Sequence, residues 1–162
     1  MKLVERSRKP VHSRLGQALV ELPLVLIPLV ALWVAIIDFS FAIFLKGTFQ
    51  HAVREGARYA VTSRTEPSLG HDASIQAAVQ RNAMGFLNGE QGAGRIHIRY
   101  YLPGTLAETQ SNAGGNIVEV SVEGYTWNWI APVLRGNAAP LTIVARSSDR
   151  MEASPGGVPP AR

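Results

Sequence analysis

The chain contains no cysteine, so no disulfide staples it and no thiol can serve as nucleophile or metal ligand. That absence leaves the compartment open, because many exported domains also lack cysteine. Signatures of catalysis are missing as well. There is no glycine-rich phosphate loop, no G-x-S-x-G and no H-E-x-x-H, and His12, His51, His71 and His97 are scattered without metal-ligand spacing. His71 beside Asp72 is a two-residue coincidence in what reads as a solvated loop. Enzymatic activity, a metal and a cofactor are therefore not expected. The last absence is local: between Leu22 and Ile37 the chain carries no charged residue.

That charge-free run, extended by Ala18–Val20 on one side and by Phe39–Leu45 on the other, makes an apolar helix of about 20 residues or more, enough to cross a bilayer core. A secretory signal core would be shorter. Glu21 stands at the mouth of the run, where a carboxylate is costly unless it is partnered or held near the headgroups. Asp38, near the far end, where water or a neighbouring chain could satisfy it, is favoured as a carboxylate reaching the headgroups. Pro23 and Pro28 each remove a backbone hydrogen bond, which membrane helices tolerate when neighbours cover the freed carbonyls.

The formal charge of +4 invites a nucleic-acid reading, but its distribution does not. Five of the 16 basic residues and one of the 12 acidic ones lie in the first 16 positions, so the remainder is neutral. The basicity belongs to a leader that keeps this end in the cytoplasm, and no nucleic-acid partner is expected.

Beyond the membrane the helix continues as a stalk. Leu45, Phe49, Ala52, Val53, Gly56 and Ala60 share one face, while Lys46, Gln50, Arg54 and Arg58 form a polar stripe. Ala52, Gly56 and Ala60 recur at every fourth position, a spacing that lets another element approach closely, and the chain's own domain is favoured over a subunit. Glu55 and Arg58 would form a surface pair worth ~0.3 kcal/mol. A loop from Thr62 to Ala73 precedes a second, short helix from Ile75 to Leu87, capped by Asp72 or Ser74 and ended before Gly89.

The period then changes to two. Ile96, Ile98 and Tyr100 alternate with Arg95, His97 and Arg99, and Val118, Val120 and Val122 alternate with Glu119, Ser121 and Glu123. Two basic residues on one solvent face would meet two acidic ones if these strands pair antiparallel. The phase flips at Gly124 before Tyr125, Trp127 and Trp129, which suggests a β-bulge, with the core favoured over a subunit interface for the tryptophans. Residues 141–146 make a third strand. The expected organisation is α+β: a basic cytoplasmic leader over 1–16, a transmembrane helix over 17–45, an amphipathic stalk over 46–61, a periplasmic domain with a small three-stranded antiparallel sheet over 62–152, and a disordered tail over 153–162.

Two stretches carry a resemblance. Gly16, Gln17, Ala18, Leu19, Val20 and Glu21, followed by the apolar run, are similar to the cleavage site of type IV prepilins, with a basic leader ending in Gly and Glu at the fifth mature position. HAVREGARYAVT, from His51 to Thr62, resembles the sequence that follows the membrane helix in TadE-like proteins, minor pseudopilins of the tight-adherence (Flp) pilus system. The resemblance implies a pilin-like fold and cleavage between Gly16 and Gln17 by a prepilin peptidase. It also implies insertion in the inner membrane with the domain in the periplasm. The implied partners are that peptidase, other pilin-type subunits, the Tad assembly machinery and the lipid bilayer, with Glu21 setting the assembly register. Major Flp subunits continue the Glu with Tyr and are little more than the helix. Here Leu22 follows, and over a hundred residues lie beyond the membrane, which speaks for a minor pseudopilin. A bitopic membrane protein that keeps its leader and carries a periplasmic binding domain stays open as an alternative. A secreted protein cut near Ala42 is disfavoured by the long anchor.

Overall fold

A 48-residue helix, α1 (Arg14–Val61), runs through both prolines and spans about 72 Å at 1.5 Å per residue. A computed structural model describes residues 14–131, 135–136 and 138–162. Most of the leader, residues 1–13, lies outside the described residues, whereas Arg14 and Leu15 already belong to the first turn of α1.

The first half of α1 stands clear of the rest of the chain. Val20, Leu24, Ile27 and Trp33 are between 62% and 75% exposed. Toward its second half one face closes onto the domain, and this buried face begins at Asp38 and Ala42, before the stalk as read from the sequence. Leu45, Phe49, Ala52, Val53, Ala57 and Ala60 pack into a core with Ile75 and Val79 of α2 (His71–Asn82).

The sheet has four strands, not three, in the order β2-β1-β3-β4, all antiparallel: β1 (Ile96–Tyr101), β2 (Glu108–Thr109), β3 (Ile117–Trp127) and β4 (Leu141–Arg150). The additional strand, β2, lies in the link from Pro103 to Gly115 and pairs only Glu108 and Thr109 with Tyr101 and Tyr100. Two residues cannot display a period, so the sequence carries no signal for it. The glycine-rich segment before β1 forms a single helical turn, α3 (Gly89–Ala93).

Registers follow the alternation. Ile96 pairs with Val122, Ile98 with Val120 and Tyr100 with Val118, which turns the apolar residues of both strands toward the helices. On the opposite face Arg99 donates to Glu123 Oε1 at 2.9 Å and lies 3.4 Å from Glu119, and Arg146 of β4 reaches Glu123 at 3.1 Å. The register between β3 and β4 shifts between Val122 and Tyr125, where Gly124 adopts φ +70°, so the phase flip is a bulge with glycine in the left-handed region. The pair expected between Glu55 and Arg58 is not among the ion pairs of the described residues.

The charged face has a pH signature. The Arg99 guanidinium hydrogen-bonded to Glu123 pulls the carboxyl from its ordinary 4.5 down to about 2, against a smaller opposing effect of burial. The folded state thus holds a proton less readily than the unfolded chain. The stability contributed by Glu123 is complete above about pH 4.5 and is lost as pH falls toward 2. Denaturant midpoints of the full chain in detergent should fall over that window. Glu123→Gln should flatten the decline, and an unchanged acid limb in that variant would remove Glu123 from the account.

Candidate membrane-anchoring and assembly site

Gly16, Gln17 and Glu21 all lie in the first two turns of α1. Gln17 and Glu21 are one i, i+4 step apart and share a helix face, and the Glu21 side chain is exposed. The other residues singled out for packing are far from them. Ala52 is 31 residues up the same helix from Glu21, about 47 Å away.

Ala52, Gly56 and Ala60 are buried against the chain's own α2 and sheet. At Gly56 the approach is so close that a Cβ would stand 2.4 Å from Val79 Cγ2 and 3.4 Å from Val120 Cγ1. The small-residue face is where α2 and β3 seat against α1.

Asp38 differs from its expected role. It is fully buried rather than reaching headgroups, and its carboxylate accepts hydrogen bonds from the backbone N–H of Ile130 at 2.9 and 3.0 Å and from that of Ala131 at 2.7 Å. A buried carboxylate needs such donors, and the turn after β3 supplies two amides that no strand partner uses. Two aromatic contacts hold the same junction: Trp129 lies 5.2 Å from Phe39 and Trp127 4.5 Å from Phe41, centroid to centroid. The tryptophans serve the seam between helix and domain, with Trp129 donating from its indole to the Ala139 carbonyl at 2.8 Å. No spacing in the sequence links Asp38 to a loop more than 90 residues later.

At the other end of the domain, His71 is buried, not solvated. Its Nδ1 meets the Arg64 carbonyl at 3.2 Å, and burial lowers the imidazole's hold on a proton. Asp72 turns elsewhere: it accepts from the Tyr100 hydroxyl at 2.8 Å and pairs with Arg162 at 2.8 and 2.9 Å. Burial, reinforced by the Asp72 charge, raises the Tyr100 hydroxyl's hold on its proton. Neighbours in sequence, His71 and Asp72 thus engage separate partners and form no dyad.

The tail, expected to be disordered, is bound at this end. His71 N–H donates to the Ala161 carbonyl at 2.7 Å, Asn112 holds the Pro160 carbonyl at 2.9 Å, and Arg162 lies over the Tyr100 ring at 4.8 Å while donating to Gln110. Composition alone read its Gly and Pro content as unstructured, but a polar cradle at the start of α2 answers its carbonyls and its guanidinium. Helix α2 itself starts without a side-chain cap. Ser74 instead donates to the Gly70 carbonyl at 2.8 Å and accepts from Glu66 N–H at 2.9 Å.

Chemically, the described residues bring together no three His, Asp or Glu side chains able to hold a metal. What they present is a long, exposed, apolar helix with acidic Glu21 near its start, locked at mid-length to an α+β domain. Among the described residues one helix is long and apolar enough to cross a membrane, which fits a single-pass membrane protein. No curated protein and no solved structure matches the chain. A family model, TadE-like protein, matches residues 16–58, from Gly16 through the membrane run into the stalk, a match consistent with a TadE-like protein of the tight-adherence pilus system.

Proposed function

We propose that this chain is a minor pseudopilin anchored in the inner membrane, with its leader in the cytoplasm and its α+β domain in the periplasm. It is cleaved after Gly16 by a prepilin peptidase and assists the assembly or priming of a Flp/Tad-type adhesive pilus. The observation that carries this reading is the matched segment itself. It opens on Gly16, places Glu21 five positions later, and continues as an exposed apolar helix into a separate folded domain.

A peptidase working at the membrane surface needs a small residue at the scissile bond so that the backbone can enter its site, and Gly16 is the only glycine before the anchor. Mass spectrometry of the membrane-extracted chain, from cells with an active pilus system, should find Gln17 at its start. Gly16→Leu should leave the leader attached. A wild-type mass that still includes the leader would overturn processing and favour the bitopic alternative.

Processing would place a new ammonium at Gln17, one turn from Glu21, at the apolar boundary where an uncompensated charge is expensive. Within a subunit the two can meet. Between subunits, the Glu21 carboxylate of one chain can neutralise the Gln17 amine of the next and fix their axial register. Glu21→Gln should accordingly insert and be processed normally, yet lose most co-immunoprecipitation with other pilin-type subunits, with Glu21→Asp in between. Wild-type co-assembly of Glu21→Gln would remove the electrostatic role and leave an anchor.

A further inference from the structure

After Leu22 the first exposed charge along α1 is Lys46, because Asp38 is wholly buried under the turn that bonds it. Asp38 therefore does not mark where water begins. The stretch from Leu22 to Leu45 is about 36 Å long, against a hydrocarbon core of about 30 Å. Exposed apolar surface continues past Asp38 through Phe39, Ile43 at 70% exposure, and Phe44. A core that starts at Leu22 ends near Phe41, some 20 residues on. The turn bonded to Asp38 sits at that height. It shows Ile130 at 57% exposure, Trp129 against Phe39, and an open groove of about 600 Å³ lined by Asn128, Trp129, Ile130, Arg135, Ala138 and Pro140.

We propose that this edge of the domain is a lipid-contact surface: Ile130 enters the interfacial layer of the bilayer, with Trp129 buried behind it against Phe39, and Arg135 faces the phosphates of anionic phospholipids. The inference rests on the reading of α1 as a membrane span. Two features converge on lipid as the occupant. The edge continues the apolar surface of the spanning helix without a break. Its exposed cation beside an apolar side chain matches an anionic interface. The bond network at Asp38 then acquires a purpose beyond packing: it satisfies a carboxylate and two amides at a depth where water is scarce, and it fixes the domain against the bilayer instead of letting it swing on the stalk.

The absence of cysteine makes the test direct. Full-length chains carrying one spin-labelled cysteine, Leu26→Cys in the span, Ile130→Cys at the proposed contact or Val158→Cys in the segment bound at the far end of the domain, are reconstituted at low protein density in vesicles of phosphatidylcholine and phosphatidylglycerol. Collision with oxygen and with a water-soluble nickel chelate reads depth. All three side chains are exposed, so labelling leaves the core intact. The Leu26 label should be shielded from nickel and the Val158 label open to it, with the Ile130 label on the order of fivefold less accessible than that at Val158. Arg135→Gln, or vesicles of phosphatidylcholine alone, should raise nickel access at Ile130. An Ile130 label as open as the one at Val158, with Leu26 still shielded, overturns the contact while leaving the span intact. Shielding at Ile130 that appears only at high protein density assigns the surface to a second copy and also overturns it. An open Leu26 label removes the span and the inference together.

Discussion

Gly56→Ala should destabilise the domain by about 1–3 kcal/mol, although the same change at an open helix position stabilises by up to about 1 kcal/mol. The sign is decided by Val79 Cγ2, which would lie 2.4 Å from the new Cβ. Val79 is fully buried in α2 and has no flexible end to withdraw, so either the helices separate or the valine leaves its rotamer. Gly56→Leu should prevent the domain from closing on α1 at all. The control is Val79→Ala, which costs stability by itself but deletes the clashing methyl. In that background Gly56→Ala should become neutral or stabilising, since its remaining neighbours, Val120 Cγ1 at 3.4 Å and Ile75 Cγ2 at 3.8 Å, are near ordinary contact. Denaturant titrations followed by tryptophan fluorescence give the four stabilities of the cycle. Equal costs of Gly56→Ala in both backgrounds would show that the close approach to Val79 is not what requires glycine.

The contrast between Gly56 and Asp38 shows what a sequence of this kind makes legible. Gly56 belongs to a repeat of small residues on one helix face, and periodicity and spacing together point to a close approach from residue types alone. The same holds for β1 and β3, whose two-residue alternation fixes which side chains face inward, and hence that Arg99 meets Glu119 and Glu123. The bulge at Gly124 is legible because it reverses a phase. Asp38 offers no pattern. Its partners, Ile130 and Ala131, are 92 and 93 positions away and contribute only backbone, which no residue type advertises. The bound tail is hidden for the same reason: Arg162 finds Asp72 across 90 positions, and a stretch rich in Gly and Pro has no pattern that reveals the cradle receiving it. Strand β2 escapes differently, being too short to have a period at all. As for the anchoring site, the apolar run, Gly16 and Glu21 stand out from local sequence, whereas the seam that joins helix to domain exists only in the three-dimensional arrangement.

That seam should fail when Asp38 is replaced. Asp38→Ala strands the amides of Ile130 and Ala131, and losing a buried charged acceptor that serves one buried and one part-buried donor should cost about 3 kcal/mol. For a domain of this size that corresponds to a drop in Tm of roughly 10 °C or more. Asp38→Asn keeps one carbonyl oxygen but turns an NH2 toward one of the two donors, so it should recover less than half of the loss. The damage should also be local before it is global. Hydrogen exchange at the Ile130 and Ala131 amides should accelerate strongly, while amides of β1 paired with β3, on the far side of the sheet from the seam, keep their protection. Because Trp129, next to this turn, packs on Phe39 of α1, indole emission should shift as their 5.2 Å contact loosens. If both amides stay protected in Asp38→Ala, the carboxylate is not what closes the turn onto α1, and the aromatic pairs Trp129–Phe39 and Trp127–Phe41 alone must hold the domain to its anchor.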